Sequence, residues 1–192
     1  MSLVSEFVTK KNKKLIFVFI DYSTLAMAVA CGSSHLLAVE EVGSAVWTTG
    51  KGSRGQLGRG REASELGRRW AAAGSLFFGA AAPIVMVAAG EEHTAAVASD
   101  GALLTFGDGT FGQLGLGDNL PRFSPTRLDR NVFGQSPVVM AACGWGHTLV
   151  LTTRGDVWSA GWGSSGQLGL GKNSKTLTFR QVGMASYLIF GL

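Results

Sequence analysis

The sequence is poor in the residues that usually cross-link or interrupt a fold. Its 192 residues include four prolines and two cysteines, and charged side chains make up only 16%. The two cysteines, Cys31 and Cys143, give neither a disulfide framework nor the spacing of a metal site. This scarcity favours a reducing compartment, the cytosol or the nucleus. The 46% share of hydrophobic residues is typical of a globular protein and excludes a disordered one.

The sequence also has no long apolar run and no large excess of charge of one sign outside residues 10–14. The net charge of +4 equals the contribution of the four lysines in KKNKK (10–14), so the remainder is nearly balanced and does not suggest a nucleic-acid face. We interpret KKNKK as a solvated segment, with a nuclear import signal as the alternative. The apolar run Leu15–Ile20 is too short to cross a bilayer. It predicts a buried strand instead of a secretory signal, and we expect no membrane association.

Glycine is abundant by contrast, with 28 residues, roughly twice its usual share. The stretch GKGSRGQLGRG (50–60) contains G-x-G-x-x-G, and the same frame recurs as GDGTFGQLGLG (107–117) and GWGSSGQLGLG (161–171). A dinucleotide site needs one such loop followed by a helix, whereas Leu-Gly-x-Gly after each copy disfavours a helix. A P-loop would need a Lys-Ser/Thr pair. The three stretches are therefore predicted to be turns, and no cofactor is predicted.

A second element recurs upstream of each glycine loop, as ACGSSH (30–35), AAGEEH (88–93) and ACGWGH (142–147). The histidines are 58 and 54 residues apart, which defines an internal repeat of about 56 residues. The positions common to the repeats are predicted to be structural: Gly32, His35, Gly50, Gly52, Gly55, Gln56, Gly58, Gly90, His93, Gly107, Gly109, Gly112, Gln113, Gly115, Gly144, His147, Gly161, Gly163, Gly166, Gln167 and Gly169.

Within each repeat the local signals are those of short strands. Asp100-Gly101 marks a hairpin turn. Apolar runs precede the histidine elements and are predicted to be strands buried on both faces. Four strands per repeat predict a propeller blade. The chain is thus predicted to be all-β, a partial β-propeller of about three four-stranded blades, with these segments: 1–26 (basic and apolar), 27–82, 83–135 and 136–182 (repeats), and 183–192 (a remnant strand).

The paired elements resemble the repeat of the regulator of chromosome condensation family over roughly residues 27–182. The resemblance implies a β-propeller, which in this family has seven blades. Three blades of that curvature cannot close a ring, so two blade faces would be exposed. We therefore expect self-association or a complementary chain.

No catalytic or metal-binding constellation is found in the sequence. Equivalent positions in successive blades are spread around a ring, so the three histidines are not expected to converge on a metal. Each is expected to hydrogen-bond a local turn, and each repeated glutamine to bind backbone groups of its loop. Catalytic, cofactor and metal residues are predicted to be none, and the protein is predicted not to be an enzyme. Positions that differ between repeats are free to recognise partners, and the candidates are Arg54, Arg59, Phe111, Trp145 and Trp162.

Two functions agree with this reading. The first is a non-catalytic protein-interaction module. The second, implied by the resemblance, is guanine-nucleotide exchange on a Ran-type small GTPase, coupled to chromatin. An exchange factor stabilises the nucleotide-free GTPase, and so it needs a broad contact face more than a catalytic group. The expected partners are proteins, with a Ran-type GTPase and chromatin as specific candidates, in the cytoplasm or the nucleus.

Overall fold

Three antiparallel sheets make up the described part of the chain. The computed structural model describes residues 26–40, 46–61, 71–73, 82–171 and 174–183. Each sheet has four strands, and each strand pairs with the next along the chain. The strands are β1 Ala26–Cys31, β2 His35–Glu40, β3 Val46–Gly50 and β4 Ala71–Ala73; β5 Ile84–Ala89, β6 His93–Ala98, β7 Leu103–Gly107 and β8 Arg122–Arg127; β9 Val138–Cys143, β10 His147–Thr152, β11 Val157–Gly163 and β12 Ser174–Gln181.

The predicted all-β class and the four strands per blade are confirmed. The described residues contain a single 3-10 helix, Arg130–Phe133, and no helix long and apolar enough to cross a membrane. The predicted strand at Leu15–Ile20 and most of the C-terminal remnant, residues 184–192, lie outside the described residues. We refer to β1–β4, β5–β8 and β9–β12 as blades one, two and three.

Blade two is packed between the other two blades. Alternate residues of a strand point to opposite faces of its sheet. In β6, Ala96 and Ala98 join a core with Leu37 of blade one, whereas Ala95 and Val97 join a second core with residues of blade three such as Val150. All six residues of β6 are buried. Alanine at these positions keeps the side chains short, so that the sheets approach closely.

The first strand of each blade is less buried than its sequence predicts. Val29, Val85, Val139 and Met140 are all exposed, so the prediction that these apolar runs are buried on both faces is wrong. The reason is their place in the sheet. β1, β5 and β9 are edge strands that lie next to one another in successive blades. Each has one strand neighbour in its own sheet, and part of its surface meets no other strand.

One glycine conformation is repeated at or near the end of the third strand of each blade. Gly50, Gly107 and Gly161 have φ values of 108°, 105° and 113°. A Cβ on Gly107 would lie 2.5 Å from the carbonyl oxygen of Glu92, and the other two would meet equivalent carbonyls at 2.4 Å. Both the backbone conformation and the lack of space therefore require glycine at this position.

We expect Gly107→Ala to destabilise the fold far more than Gly155→Ala. Both glycines have positive φ, but a Cβ on Gly155 would meet no atom within 4 Å. The control thus costs about 1 kcal/mol of backbone strain, and Gly107→Ala adds an overpacking cost of about 1–3 kcal/mol. Urea unfolding of both variants measures the difference. Equal losses of stability would contradict the proposed steric role of Gly107.

Candidate functional site

A hydrogen-bond relay joins each blade to the next. The Nε2 atom of His93 lies 2.9 Å from Oγ1 of Thr148, and that hydroxyl donates to the carbonyl of Gln113 at 2.7 Å. Because the hydroxyl gives its single hydrogen to the carbonyl, the imidazole must donate through Nε2. His35, Thr94 and the carbonyl of Gln56 repeat this arrangement, with both distances at 2.9 Å. Both rings therefore bind the neighbouring blade through Nε2. The expectation that each would hydrogen-bond a local turn is wrong for these Nε2 atoms.

The repeated glutamines hold the glycine loops in shape. Oε1 of Gln56, Gln113 and Gln167 accepts a hydrogen bond from the backbone N–H two residues earlier, at 2.8–2.9 Å. A hydroxyl on the third strand of each blade also donates to a loop carbonyl: Thr48 to Leu57, Thr105 to Leu114, and Ser159 to Leu168. These repeated polar groups are thus engaged in the architecture.

Burial keeps the relay histidines neutral. It lowers the pKa of His35 to about 4 and that of His93 to about 3, from an ordinary value of 6.5. The Nδ1 atoms of both rings are buried and have no hydrogen-bond partner among the described residues. A proton added at Nδ1 would therefore place a charge where nothing compensates it. Among the described residues there is also no cluster of side chains that could hold a metal ion.

The positions that differ between repeats meet at the blade boundaries. Between blades one and two they form ion pairs. The Lys51 ammonium lies 2.6 Å from Oε1 of Glu92, and the Arg54 guanidinium lies 3.7 Å from Oε2 of the same residue. Arg54 also lies 3.9 Å from a carboxylate oxygen of Asp108. Both cationic side chains remain about half exposed.

Between blades two and three the equivalent positions are aromatic. The ring centroid of Phe111 lies 4.8 Å from that of Trp145 and 5.8 Å from that of Trp162, and the two tryptophan rings are 5.3 Å apart. We call these three residues the aromatic cluster. Trp145 is 51% exposed. The cluster therefore offers an open indole surface that is supported from below by two further rings.

Two small features border this cluster, and neither was predicted from the sequence. A Cβ on Gly146 would lie 3.0 Å from the ring of Phe111, so glycine at this position makes room for that ring. The other repeats carry Ser34 and Glu92 there. The second feature is Lys175, which faces Trp162 in the β11–β12 register and has its Nζ 3.5 Å from the carbonyl of Thr110. The difference between Gly146 and its equivalents in the other repeats was the sequence signal that could have indicated space for the ring.

Arg59 is not at this surface. Its guanidinium is buried and donates to the backbone carbonyl of Thr48 and, over 2.9 Å, to the Thr48 hydroxyl. Arg59 was a candidate for partner binding, and in the structure its side chain folds back onto β3. Of the five candidates, the structure brings Phe111, Trp145 and Trp162 together and places Arg54 in the neighbouring ion-pair group.

The relay predicts a pH dependence of stability. Well above pH 6.5 the histidines are neutral in both the folded and the unfolded chain. As the pH falls from 6.5 towards 4, the unfolded chain takes up protons that the buried rings exclude. We expect the free energy of unfolding to fall by about 1–2 kcal/mol per buried histidine between pH 7.5 and 5, measured by urea unfolding.

Carboxylates also take up protons as the pH falls, so NMR is used to measure the titration of the histidines alone. The Cε1–H resonances of His35 and His93 should not titrate above pH 5, because burial lowers both pKa values. His147 is the internal comparison, since its pKa is lowered by its partial burial alone. A midpoint near 6.5 for either buried ring would contradict the relay as described.

Comparison with known sequences identifies the repeat. Two family patterns described as the regulator of chromosome condensation (RCC1) repeat match the chain, one at residues 44–97 and 100–151, the other at 84–113 and 140–167. The chain is 43% identical over 143 residues to the ultraviolet-B receptor UVR8 of Arabidopsis thaliana, covering 74% of this chain and 31% of the receptor. It is 38% identical to the probable E3 ubiquitin-protein ligase HERC3 of Homo sapiens, covering 74% and 13%.

Solved structures show the same architecture. Human WBSCR16 superimposes with a TM-score of 0.72 at 26% identity, covering 82% of this chain and 39% of that protein. Prp20p of Saccharomyces cerevisiae, whose structure was described with its binding properties to Gsp1p and histones, superimposes with a TM-score of 0.69 at 28% identity, covering 81% and 37%. The chain thus spans less than two fifths of the length of each of these relatives. With its repeats matched and its blades superimposed, the chain belongs to the RCC1 repeat family.

Proposed function

We propose that this chain is a non-catalytic protein-interaction module of the RCC1 type, acting in the cytoplasm or the nucleus, and that a protein partner binds at the aromatic cluster. The observation that carries the proposal is the exposure of Trp145 on top of Phe111 and Trp162. Exposed aromatic groups of this kind mark interaction sites, and tryptophan is enriched among the residues that dominate binding energy. The cluster is built from positions that the repeat does not use for its own architecture.

The neighbouring boundary extends this surface. Lys51 and Arg54 of blade one, both about half exposed, form ion pairs with the partly buried Glu92 of blade two at the equivalent junction. A partner that covers both junctions would meet an apolar centre beside a charged margin, the usual arrangement of a protein interface. Exposed ion pairs contribute little to affinity but favour correctly oriented encounters.

Guanine-nucleotide exchange on a Ran-type GTPase is the second candidate. It is supported by the 28% identity to Prp20p, a protein described as binding Gsp1p and histones. Exchange requires a surface that stabilises the nucleotide-free GTPase, and the chain corresponds to 37% of Prp20p. A nucleotide-release assay with purified chain and a Ran-type GTPase tests it directly, since release no faster than without the chain would exclude exchange by this chain alone.

We expect Trp145→Ala to abolish capture of a specific partner from cell extract while leaving the fold intact. Truncation of a central aromatic residue typically costs at least 2 kcal/mol of binding, about thirtyfold. The matched control is Ser33→Ala, at the equivalent turn position of blade one. Affinity purification with quantitative mass spectrometry measures the loss, and circular dichroism verifies folding. A set of bound proteins unchanged by Trp145→Ala would contradict the proposal.

Self-association is a further part of the proposal, and blade three supports it. His147, Leu149 and Leu151 are only partly buried on one face of β10. Their repeat equivalents in β6 are fully buried against blade three. An apolar sheet face of this kind favours association with another chain.

We expect the purified chain to have a mass above 20.1 kDa in light scattering, increasing with concentration. Leu149→Glu should reduce the association, whereas Ser164→Glu, in an exposed loop, should not. A monodisperse monomer over the whole concentration range would contradict self-association.

A further inference from the structure

We propose that the outward face of blade three docks a sheet of a partner protein that presents a threonine or serine hydroxyl to His147 and to the backbone carbonyl of Gln167. The outward face is the side of β10 opposite to Thr148 and Val150, which pack on blade two. The inference goes beyond the proposed function, because it concerns a different set of residues from the aromatic cluster.

Blade three repeats the hydrogen-bond donor of the relay. A Cβ on Gly144 would lie 2.1 Å from Cε1 of His147, and a Cβ on Gly90 would lie 2.3 Å from Cε1 of His93. Each imidazole is therefore packed against the glycine that begins its own turn. The ring of His147 is thus held in place as the relay ring of blade two is.

The loop of blade three repeats the acceptor. Oε1 of Gln167 accepts from the backbone N–H of Ser165, as that of Gln113 does from Phe111. The glycines one residue before and two residues after each glutamine have φ values of 81° and 66° in blade three, against 83° and 69° in blade two. In both blades the histidine also pairs with the glycine that opens the loop. The Gln167 carbonyl and the His147 ring therefore repeat the relay geometry, and neither has a hydrogen-bond partner among the described residues.

In the complete relay, one hydroxyl fills the space between the imidazole and the carbonyl. Oγ1 of Thr148 lies 2.9 Å from Nε2 of His93 and 2.7 Å from the carbonyl oxygen of Gln113. A hydroxyl accepts one hydrogen bond and donates another, whereas an N–H only donates and a carbonyl or carboxylate only accepts. A partner that covers the pair on blade three without a hydroxyl would leave buried polar groups unpaired, which is costly. The pair therefore selects for a hydroxyl.

The surface around this pair has the character of a blade junction that is not yet covered. His147, Leu149 and Leu151 are partly buried, whereas their equivalents in β6 are fully buried against blade three. Gln167 is also only partly buried, whereas Gln113 is buried to 2% exposure. A docked sheet would therefore bury apolar surface and complete the hydrogen bonds together, as blade three does for blade two.

A second copy of the chain does not supply the hydroxyl. The relay threonines, Thr94 and Thr148, are fully buried and already donate within the chain. The equivalent position of blade one is occupied by Leu36, and Ala38, on the same face of β2, is fully buried. Association with a second copy can therefore bury the apolar side chains of β10 but cannot complete the relay. These observations favour a partner of different sequence.

The first test supplies the hydroxyl by an insertion into the full chain. A second copy of residues 128–181 is placed after Gln181, so that a fourth blade follows blade three by the connection that joins blade three to blade two. Covalent attachment gives the inserted blade a high effective concentration, so weak docking is measurable. The inserted copy of Thr148 is either kept or changed by Thr148→Val, which keeps the shape and removes the hydroxyl. Both inserted copies carry His147→Ala, so that the NMR signal comes from the original His147.

With the threonine, we expect the Nε2–H proton of His147 to be protected from exchange with solvent. With Thr148→Val in the inserted copy, docking of the fourth blade, followed in urea by the His147 resonances, should be weaker by about five- to hundredfold. Circular dichroism verifies that both chains are folded. Equal docking of the two insertions, or no docking of the insertion with threonine, would overturn the inference.

The second test separates a different partner from a second copy, in the chain without an insertion. His147→Ala removes the donor and adds no apolar surface. We expect it to change self-association in light scattering by no more than about twofold, because a second copy offers no hydroxyl, whereas Leu149→Glu reduces it strongly. Equal losses in the two variants would overturn the inference and assign the pair to a second copy. If the unaltered chain is a monomer, the proposed self-association is wrong, and the comparison of the two insertions decides this inference alone.

Discussion

The structure depends on a threonine hydroxyl that is inserted between a histidine and a loop carbonyl of the preceding blade. The hydroxyls of Thr94 and Thr148 each accept a hydrogen bond from an imidazole and donate one to the backbone carbonyl of a glutamine, and all of these groups are buried. Each such bond contributes only about 1 kcal/mol, but leaving one of these groups unpaired would cost about 1–3 kcal/mol. The position of one blade relative to the next is therefore determined by these hydrogen bonds, because any other arrangement would leave buried polar groups without partners. The small side chains of β6 let the sheets approach each other.

This use of the repeated residues leaves the positions that differ between repeats free of architectural roles. His35 and His93 bind the next blade, the repeated glutamine binds its own loop in all three blades, and Gly50, Gly107 and Gly161 lie in close backbone contacts. The positions that vary are carried on the same turns and meet across the boundaries, as ion pairs at one junction and as aromatic rings at the next. A repeat scaffold thus provides equivalent turn positions in successive blades, at which only the chemical nature of the side chain differs.

Membership of the RCC1 repeat family accounts for the architecture and leaves the partner to be established. The relatives include a light receptor and a probable ubiquitin-protein ligase, and the chain spans 31% and 13% of their lengths. Proteins with such different roles are similar to the same repeat. Function on a common fold resides in the side chains of the site. For this chain we propose that those are the side chains of the aromatic cluster.

The sequence by itself determined the repeat, the strand class and the turn character of the glycine loops. These follow from local properties: the positive φ that Gly107 adopts, the hairpin signal at Asp100-Gly101, and the density of glycine after each loop. It also predicted which positions vary. The tertiary structure decided which of these meet, because Phe111 and Trp145 are brought together only by the packing of blade two on blade three. It likewise decided that Arg59 folds inward to the Thr48 carbonyl, since burial depends on neighbours that are distant along the chain.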